Sequence, residues 1–560
     1  MPRTRAPAWH LYVPKLFTVL RGGYGFDDFR HDLTAGLTVA IVALPLAMAL
    51  AIASGTAPEK GLHTAIIAGL LVSALGGSRV QIGGPTAAFV PVVFTVIERF
   101  GYGGLILCTV LAGLMLIAAG LLRFGTLMKY MPQPVITGFT SGIAVSIVLS
   151  QVKDFFGLRM AAVPGDFFAR LGVYGQHFST FSVTATLIAV GSVLLILTVR
   201  RWRPTWPSLL LAVAAATLAC SAFGLPLETI GSRFGSIPAQ LPQFSLPHVP
   251  FERTRELFPS SFTIAFLAGV ESLLSATVAD GMIGGRHRSN CELVAQGVAN
   301  IASALFGALP ATGALARTAT NVRAGARSPV AGMLHAVLLL AFMLVLAPWM
   351  RYIPLATLAG LLVIVAWNMA EIDSFRHLLR GPVGDRVVLL LTFALTVMFD
   401  LTIAIEVGVV LAAFLFMHRM SEVVAMESHV SMLEADADDF AGAAAPTQRA
   451  QLPPGVEAYQ VSGPLFFAVA NRLDEVLNQF PHAPRIFILR LRLVPLIDAS
   501  GVTALRQMLK RCSRTGTRVI LSGLREQPRA ILTQMGVSPD GVHLQFAANF
   551  DEALQLAHAG

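Results

Sequence analysis

Two ionisable residues, Glu271 and Arg317, lie within apolar stretches of the chain. A central intramembrane arginine costs roughly 2.5–3.5 kcal/mol on insertion scales, so it either pairs or faces a polar cavity. Arg317 therefore has two readings: positive charge beside an anion pocket, or one half of a permanent ion pair with Glu271 that holds two helices together. Glu271 also has two. A carboxylate that gains a proton as an anion arrives removes a charge that would repel it, which couples proton and anion movement. Otherwise the carboxyl is tied up, by Arg317 or by a hydrogen bond to Thr277 or Ser275. Sodium is the other candidate coupling ion; no organic cofactor and no metal site is expected.

Around these residues a pattern occurs twice. Ser73-Ala-Leu-Gly-Gly77 precedes Gly83-Gly-Pro-Thr-Ala-Ala-Phe89, and Ser303-Ala-Leu-Phe-Gly307, 230 residues later, precedes Pro310-Ala-Thr-Gly-Ala-Leu-Ala-Arg317. Each copy reads as an apolar helix, a Gly/Pro break and a second helix starting at membrane depth. Paired breaks in matching places of two halves indicate a secondary transporter that binds its solute between them. A helix start presents unpaired N–H groups and partial positive charge, so two facing starts favour an anion. Pro85, Thr86 and Ala87 open one segment; Thr312, Gly313 and Ala314 precede the other, which continues through Ala316 and Arg317. Their N–H groups and threonine hydroxyls are expected to replace anion hydration. Phe89, Phe262 and, after Pro45, Leu46 and Leu50 are candidate pocket walls. Asp280 is expected to pair with Arg286 or Arg323, Glu406 to make a structural contact, and His63 and His335 are minor proton-relay candidates.

The elements that must position these groups span a membrane. The 560 residues are 55% hydrophobic and 13% charged, with mean hydropathy +0.68; a soluble protein carries about 25% charged residues. Apolar stretches at about 33–54, 62–76, 85–98, 104–122, 132–150, 181–199, 206–223, 260–281, 292–307, 313–325, 329–348, 353–370, 386–399 and 401–419 make fourteen segments. Several are shorter than the roughly 20 residues a span needs, as discontinuous helices lining an enclosed cavity can be. Seven is odd, so the second half enters from the opposite side: a 7+7 inverted repeat. Residues 1–32 form an N-terminal segment without a cleavable signal, 33–223 the first repeat, 224–258 an outer loop and 259–420 the second repeat. Net charge +9 needs no nucleic-acid partner. Arg79, Arg123, Arg200, Arg201, Arg286, Arg288, Arg323 and Arg327 fall on one side if the segments alternate, against Lys60, Arg99 and Arg351 in the short loops opposite. That bias places both termini in the cytoplasm. The four cysteines lack ligand spacing.

After Met420 the composition changes. Residues 421–454 read as a solvated linker, and 455–560 as a small cytoplasmic α/β domain with strands at 458–461, 485–491 and 518–521 and helices at 469–479, 500–511 and 527–535. No P-loop, Rossmann fingerprint or catalytic triad is visible, so an enzyme and a primary pump are not expected.

Asp32-Leu-Thr-Ala-Gly36, Leu44-Pro-Leu-Ala-Met48, Gly84-Pro-Thr86, Val270-Glu-Ser-Leu-Leu274, Ala279-Asp-Gly281 and Asn321-Val-Arg-Ala-Gly-Ala326 resemble the SulP family of sulfate-permease and solute-carrier-26 anion transporters. Gly463-Pro-Leu-Phe-Phe467 and Ile497-Asp-Ala-Ser-Gly501 resemble their STAS domain. His287 and Asn290-Cys-Glu-Leu-Val294 are most similar to the bacterial dicarboxylic acid transporter branch. The resemblance implies the nucleobase-permease-like fold with core and gate domains, a homodimer in the bacterial cytoplasmic (inner) membrane, and an anion site bordered by Arg317 with a coupling carboxylate at Glu271. Sulfate, bicarbonate and C4-dicarboxylates are the implied substrates; an uncoupled exchanger or channel and a membrane-anchored STAS scaffold are the alternatives. Some family members carry a polar residue and an aromatic where Leu46 and Leu50 stand, a departure that favours a carboxylate with an apolar middle. Ser500 matches the phosphorylatable serine of soluble STAS regulators, which implies a candidate regulatory site and a cytoplasmic protein partner; an N-cap role for Asp498 or Ser500 explains the same residues.

Overall fold

A computed structural model describes residues 11–126, 132–160, 163–203, 206–235, 240, 243–244, 251–399, 401–423, 425–428, 452–465 and 483–559. The chain divides into two compact units, Met1–Ala412 and Ala413–Gly560.

In the first unit, seven helices among the described residues are long and apolar enough to cross a membrane, and Ser208–Phe223 is a shorter apolar helix. The elements in order are α1 (Lys15–Arg21), α2 (Phe26–Ala53), α3 (Pro58–Leu75), β1 (Gly83–Gly84), a 3-10 turn (Ala87–Phe89), α4 (Val90–Leu121), α5 (Gln133–Phe156), α6 (Phe167–His177), α7 (Val183–Trp202), α8 (Ser208–Phe223) and α9 (Ile230–Phe234). The second half supplies α10 (Thr254–Ile283), α11 (Ser289–Leu305), β2 (Thr312–Gly313), α12 (Leu315–Arg323), α13 (Val330–Met350), α14 (Leu355–Met369), α15 (Ile372–Leu378), α16 (Val383–Met398) and α17 (Leu401–Val423).

The expected segment at 85–98 is the 3-10 turn and the first part of α4, and that at 104–122 is the rest of α4, which turns at Gly101 (φ 69°, ψ −178°). Glycine takes that backbone without a Cβ clash, so one apolar run makes two segments. Helices α6, α9 and α15 fall in stretches between the expected segments, and α10 starts in one. Asp166 caps α6 by accepting from Ala169 N at 2.8 Å, and α10 begins at Thr254, inside the expected loop, because Leu257 is fully buried.

Packing sorts the helices into two groups. Helices α2, α3, α4, α10, α11 and α13 pack mainly on one another, and α5 packs on α14 and α16, with α7 against α14. In the first group small residues let backbones approach: a Cβ on Gly113 of α4 would lie 2.7 Å from Gly297 O, and one on Gly297 of α11 would lie 2.5 Å from Gly113 O. This is the packing expected of helices that have no hydrophobic drive between them in lipid. Asp32, fully buried on α2, accepts from Arg327 N (2.7 Å), Ser328 N (3.1 Å) and Tyr24 Oη (3.0 Å). It thereby fixes the turn between α12 and α13.

The second unit holds a five-stranded sheet in the order β3 (Ala425–Ser428), β4 (Val456–Ser462), β5 (Ile486–Leu493), β6 (Arg518–Ser522), β7 (Leu544–Ala547); β3 is antiparallel and the other pairs are parallel. Helices α18 (Ala499–Arg514), α19 (Glu526–Gln534) and α20 (Phe550–His558) complete it. Residues 425–428, read as linker, are a strand instead: their backbone pairs with Tyr459–Ser462, a partner that local composition does not reveal. Residues 421–423 of that linker end α17, while 424, 429–451 and the expected helix 469–479 lie outside the described residues.

Candidate functional site

The two breaks meet. β1 and β2 form an antiparallel pair with Gly83 opposite Gly313 and Gly84 opposite Thr312, and Ala314 N donates to Ile82 O at 2.8 Å. Gly83 and Gly313 are 230 residues apart, the same offset as the Ser-Ala-Leu copies. Position 84 therefore faces 312 as 82 faces 314, the relation a two-fold axis through the glycine pair produces. The copied serines do the same work in each half: Ser73 Oγ donates to Gln81 O (3.4 Å) and Ser303 Oγ to Leu309 O (2.6 Å).

From the crossing, one chain runs into the 3-10 turn and α4 and the other into α12. Thr86 and Ala314 stand at the two starts in extended conformation, and neither start is capped by a side chain. Helix α10 lies against both breaks. Glu271 Oε2 accepts from Thr86 Oγ1 at 3.0 Å, and Gln81 Nε2 donates to Ser272 O and Oγ, each at 3.0 Å. Thr312 Oγ1 donates to Ala268 O (2.8 Å), and Ser275 Oγ to Thr318 Oγ1 (3.1 Å), which accepts from Ile82 N (3.1 Å).

These bonds revise several expectations. Both threonine hydroxyl hydrogens point at protein acceptors, so in this conformation the uncapped backbone starts, not Thr86 or Thr312 hydroxyls, are available as donors. Glu271 bonds Thr86; Ser275 bonds Thr318, and Thr277 bonds Leu273 O. Among the described residues no salt bridge joins Glu271 to Arg317. Arg317 is 2% exposed, its Nη2 donates to Pro85 O, and its Nε and Nη1 have no partner. It clamps one break to the other, and a Cβ on Gly84 would lie 2.4 Å from its Nη1. A buried guanidinium with two unsatisfied donors is a strong source of positive field.

The structure brings Pro85, Thr86, Ala87, Thr312, Gly313, Ala314, Arg317 and Glu271 together around this crossing. Leu46, Leu50 and Phe89 are buried and Ala316 is exposed. Phe262 is 43% exposed and stacks on Phe266, so it is not an enclosed wall residue. Asp280 pairs with His287 (Nδ1 to Oδ2, 2.7 Å) rather than Arg286 or Arg323, because the turn after α10 folds the His287 N–H and ring onto it. Glu406 is exposed rather than packed. His335 is fully buried with neither ring nitrogen bonded, and His63 Nδ1 also has no partner.

Sequence reading missed the scaffold behind the site. Glu292 on α11, fully buried, accepts from Gly77 N (2.8 Å), Ser78 N (3.2 Å), Gln296 Nε2 (3.0 Å) and Ser272 Oγ (3.2 Å). Asn300 brackets the second break: Nδ2 donates to Ala311 O (2.8 Å) and Oδ1 accepts from Ala311 N (2.9 Å). Glu292, Gln296 and Asn300 recur every four residues, a polar stripe on an apolar helix that was the available signal. In the second unit, Asp498 Oδ1 accepts from Gly501 N (2.8 Å) and caps α18, while Ser500 is exposed.

Comparison with known proteins agrees with this fold. Residues 29–392 match the sulfate permease family model and residues 448–553 the STAS domain. The sulfate-transporter candidate YvdB of Bacillus subtilis (strain 168) is 41% identical over 92% of this chain and 95% of its own length. The bicarbonate transporter BicA of Synechocystis sp. is 30% identical over 91% of each chain. Among solved structures, the transmembrane domain of a cyanobacterial BicA is 31% identical (TM-score 0.63, 68% of this chain and 98% of that one). The murine solute carrier 26 member A9 anion transporter shares the fold at 19% identity (TM-score 0.87, 100% and 96%). These relatives are transporters, not enzymes, and the fold is their 7+7 helical membrane architecture with an appended α/β domain. The chain is a multi-pass membrane protein of the sulfate permease family, an anion transporter with a C-terminal STAS domain.

Proposed function

We propose that the chain is a secondary active transporter that carries a small anion with a proton, with C4-dicarboxylates (succinate, fumarate, aspartate) as first candidates and sulfate and bicarbonate as the others. The observation that carries this reading is the crossing of the two breaks, which gathers two uncapped helix starts, the buried Arg317 guanidinium and Glu271 within one hydrogen-bonded unit. The helix starts and the arginine field attract the anion. Glu271, fastened to Thr86 at the mouth of one start, exchanges a proton as the anion arrives and leaves. Alternating access is the movement of the helix group carrying the breaks against the group built on α5, α14 and α16. The named relatives support sulfate and bicarbonate; aliphatic Leu46 and Leu50 support a dicarboxylate with an apolar middle. Fourteen segments, cytoplasmic termini, the bacterial inner membrane and a homodimer with a protein partner at the STAS domain complete the proposal.

The test is uptake of labelled succinate, sulfate and bicarbonate by purified protein in liposomes, with and without a proton gradient. Gradient-driven accumulation of one of them that is lost in Glu271→Gln is the expected result; retention of it removes Glu271 from coupling. A second reading is favoured by the Thr86–Glu271 bond itself: if that bond persists through the cycle, Glu271 passes no proton and the protein is an uncoupled exchanger or channel. A STAS scaffold would instead survive Arg317→Ala and fail on removal of 455–560.

A further inference from the structure

A cavity of about 420 Å3 opens beside the candidate site but is separate from it. Its lining includes Val90, one turn past Thr86, and Ile52, two residues past Leu50, so it begins where the break residues end. Helices of both groups line it: Phe94 and Thr95 of α4 on one side, Ser146 and Ser150 of α5 and Thr396 of α16 on the other.

Four charged side chains line this space: Lys153, Asp154, Arg170 and Arg233. Asp154 is taken by Arg233, at 2.7 and 3.1 Å, and Glu228 binds the same guanidinium from outside. Lys153 and Arg170 have no salt-bridge partner among the described residues. Lys153 Nζ donates to Met160 O (2.8 Å). Arg170 is held by Pro164 O (2.9 Å) and Gly165 O (3.1 Å), with its guanidinium 5.8 Å from the Phe94 ring centroid. Two further carboxylates are close by and neither lines the cavity: Asp166 caps the helix that carries Arg170, and Glu98 on α4 accepts from Gly165 N at 3.1 Å. The segment carrying Arg170 is thus tied to α4 through Glu98 and Phe94, and to α5 by Tyr174 Oη donating to Leu149 O (2.7 Å).

We propose that this cavity is a second, waiting site for the anion, in which Lys153 and Arg170 hold a small carboxylate or inorganic oxyanion before it descends to the crossed breaks. The proposal rests on the transport reading above and on its orientation, which puts this cavity on the outer face. Two cations without a salt-bridge partner among the described residues match such a ligand, and cations in a low-dielectric cleft concentrate anions locally. The ligand's source is the outer medium, and its charge, not its carbon skeleton, is what the site reads.

The electrostatic test does not depend on transport. Ser150→Cys is labelled on whole cells with membrane-impermeant methanethiosulfonate reagents of opposite charge; the four native cysteines are buried. The sulfonate reagent is expected to react about tenfold faster than the trimethylammonium reagent, a preference lost in Arg170→Gln and Lys153→Gln backgrounds. External succinate or sulfate should slow the labelling. In uptake, Arg170→Gln should raise KM about tenfold with the maximal rate kept, and Arg170→Lys, which retains charge but loses the forked tether, should keep the wild-type KM. Equal reactivity of the two reagents, no reaction from outside, or equal KM increases in Arg170→Gln and Arg170→Lys would each overturn the waiting site. A wild-type protein that accumulates none of the three anions yet keeps the labelling preference would refute the transport reading and leave the anion site standing.

Discussion

The two breaks share a backbone and differ in chemistry. Each follows a Ser-Ala-Leu helix end whose serine donates to a carbonyl of its own break, and each contributes one glycine to the pair on the apparent two-fold axis. The first continues into the part of α4 that ends at the Gly101 turn and carries no charge before Glu98; the second continues into α12 of nine residues with Arg317 in its first turn. Under the 230-residue offset the counterpart of Arg317 is Ala87. Symmetry therefore builds the neutral cradle, and the second half alone supplies the positive charge. A second arginine at position 87 would set two like charges against each other in a low dielectric, so the asymmetry keeps one cation without self-repulsion.

The largest expected effects test the shared backbone. A Cβ on Gly83 would lie 2.8 Å from Val72 Cβ, and one on Gly313 would lie 1.6 Å from Gln81 Nε2, itself bonded to Ser272. Gly83→Ala and Gly313→Ala should each reduce uptake to background. If only one does, the two breaks are not equivalent supports. Next comes the charge: Arg317→Ala should lower anion uptake about 100-fold, equivalent to ~2.7 kcal/mol, whereas Ala87→Ser should change it little; comparable losses in both would dissolve the asymmetry.

Glu271→Gln sharpens the comparison at the contact between α10 and the first break. Electroneutral one-to-one coupling gives about tenfold accumulation of a monovalent anion per pH unit. The variant should fall to no accumulation while retaining exchange, read from labelled uptake at imposed gradients. A smaller contrast lies in the paired serines. Ser303→Ala removes a 2.6 Å bond and leaves Leu309 O without that donor, so it should cost about 1–3 kcal/mol of stability, and Ser73→Ala, with its 3.4 Å contact, less than ~1 kcal/mol. Thermal melting in detergent separates them; equal shifts would mean the longer contact is as strong as the shorter. The smallest effect is expected at Ser500→Ala, whose exposed hydroxyl leaves the Asp498 cap intact; a change in transport there would reveal regulation through the STAS domain.

Much of this was legible in the residue string. The Gly/Pro breaks, their 230-residue spacing and the isolated Glu271 and Arg317 are local facts, and local facts locate half-helices because glycine and proline act on their own backbone. Glu292, Gln296 and Asn300 were legible as a stripe, yet their targets, Gly77 and Ser78 in the other half and Ala311 beyond their own helix, were not. The strand at 425–428 was hidden for the same reason: its only signature is the neighbour it pairs with.

By itself the sequence determined that this is a two-fold-repeated helical membrane protein with an appended α/β domain, because hydropathy and repeat spacing need no partner to be read. Tertiary structure decided what each polar group does. It turned the threonine hydroxyls toward Glu271 and Ala268, set Arg317 on Pro85 O instead of in a salt bridge, and gave Asp280 to His287. In a low dielectric a donor left without an acceptor is costly, and the choice among acceptors depends on which segments, hundreds of residues apart, the fold brings together.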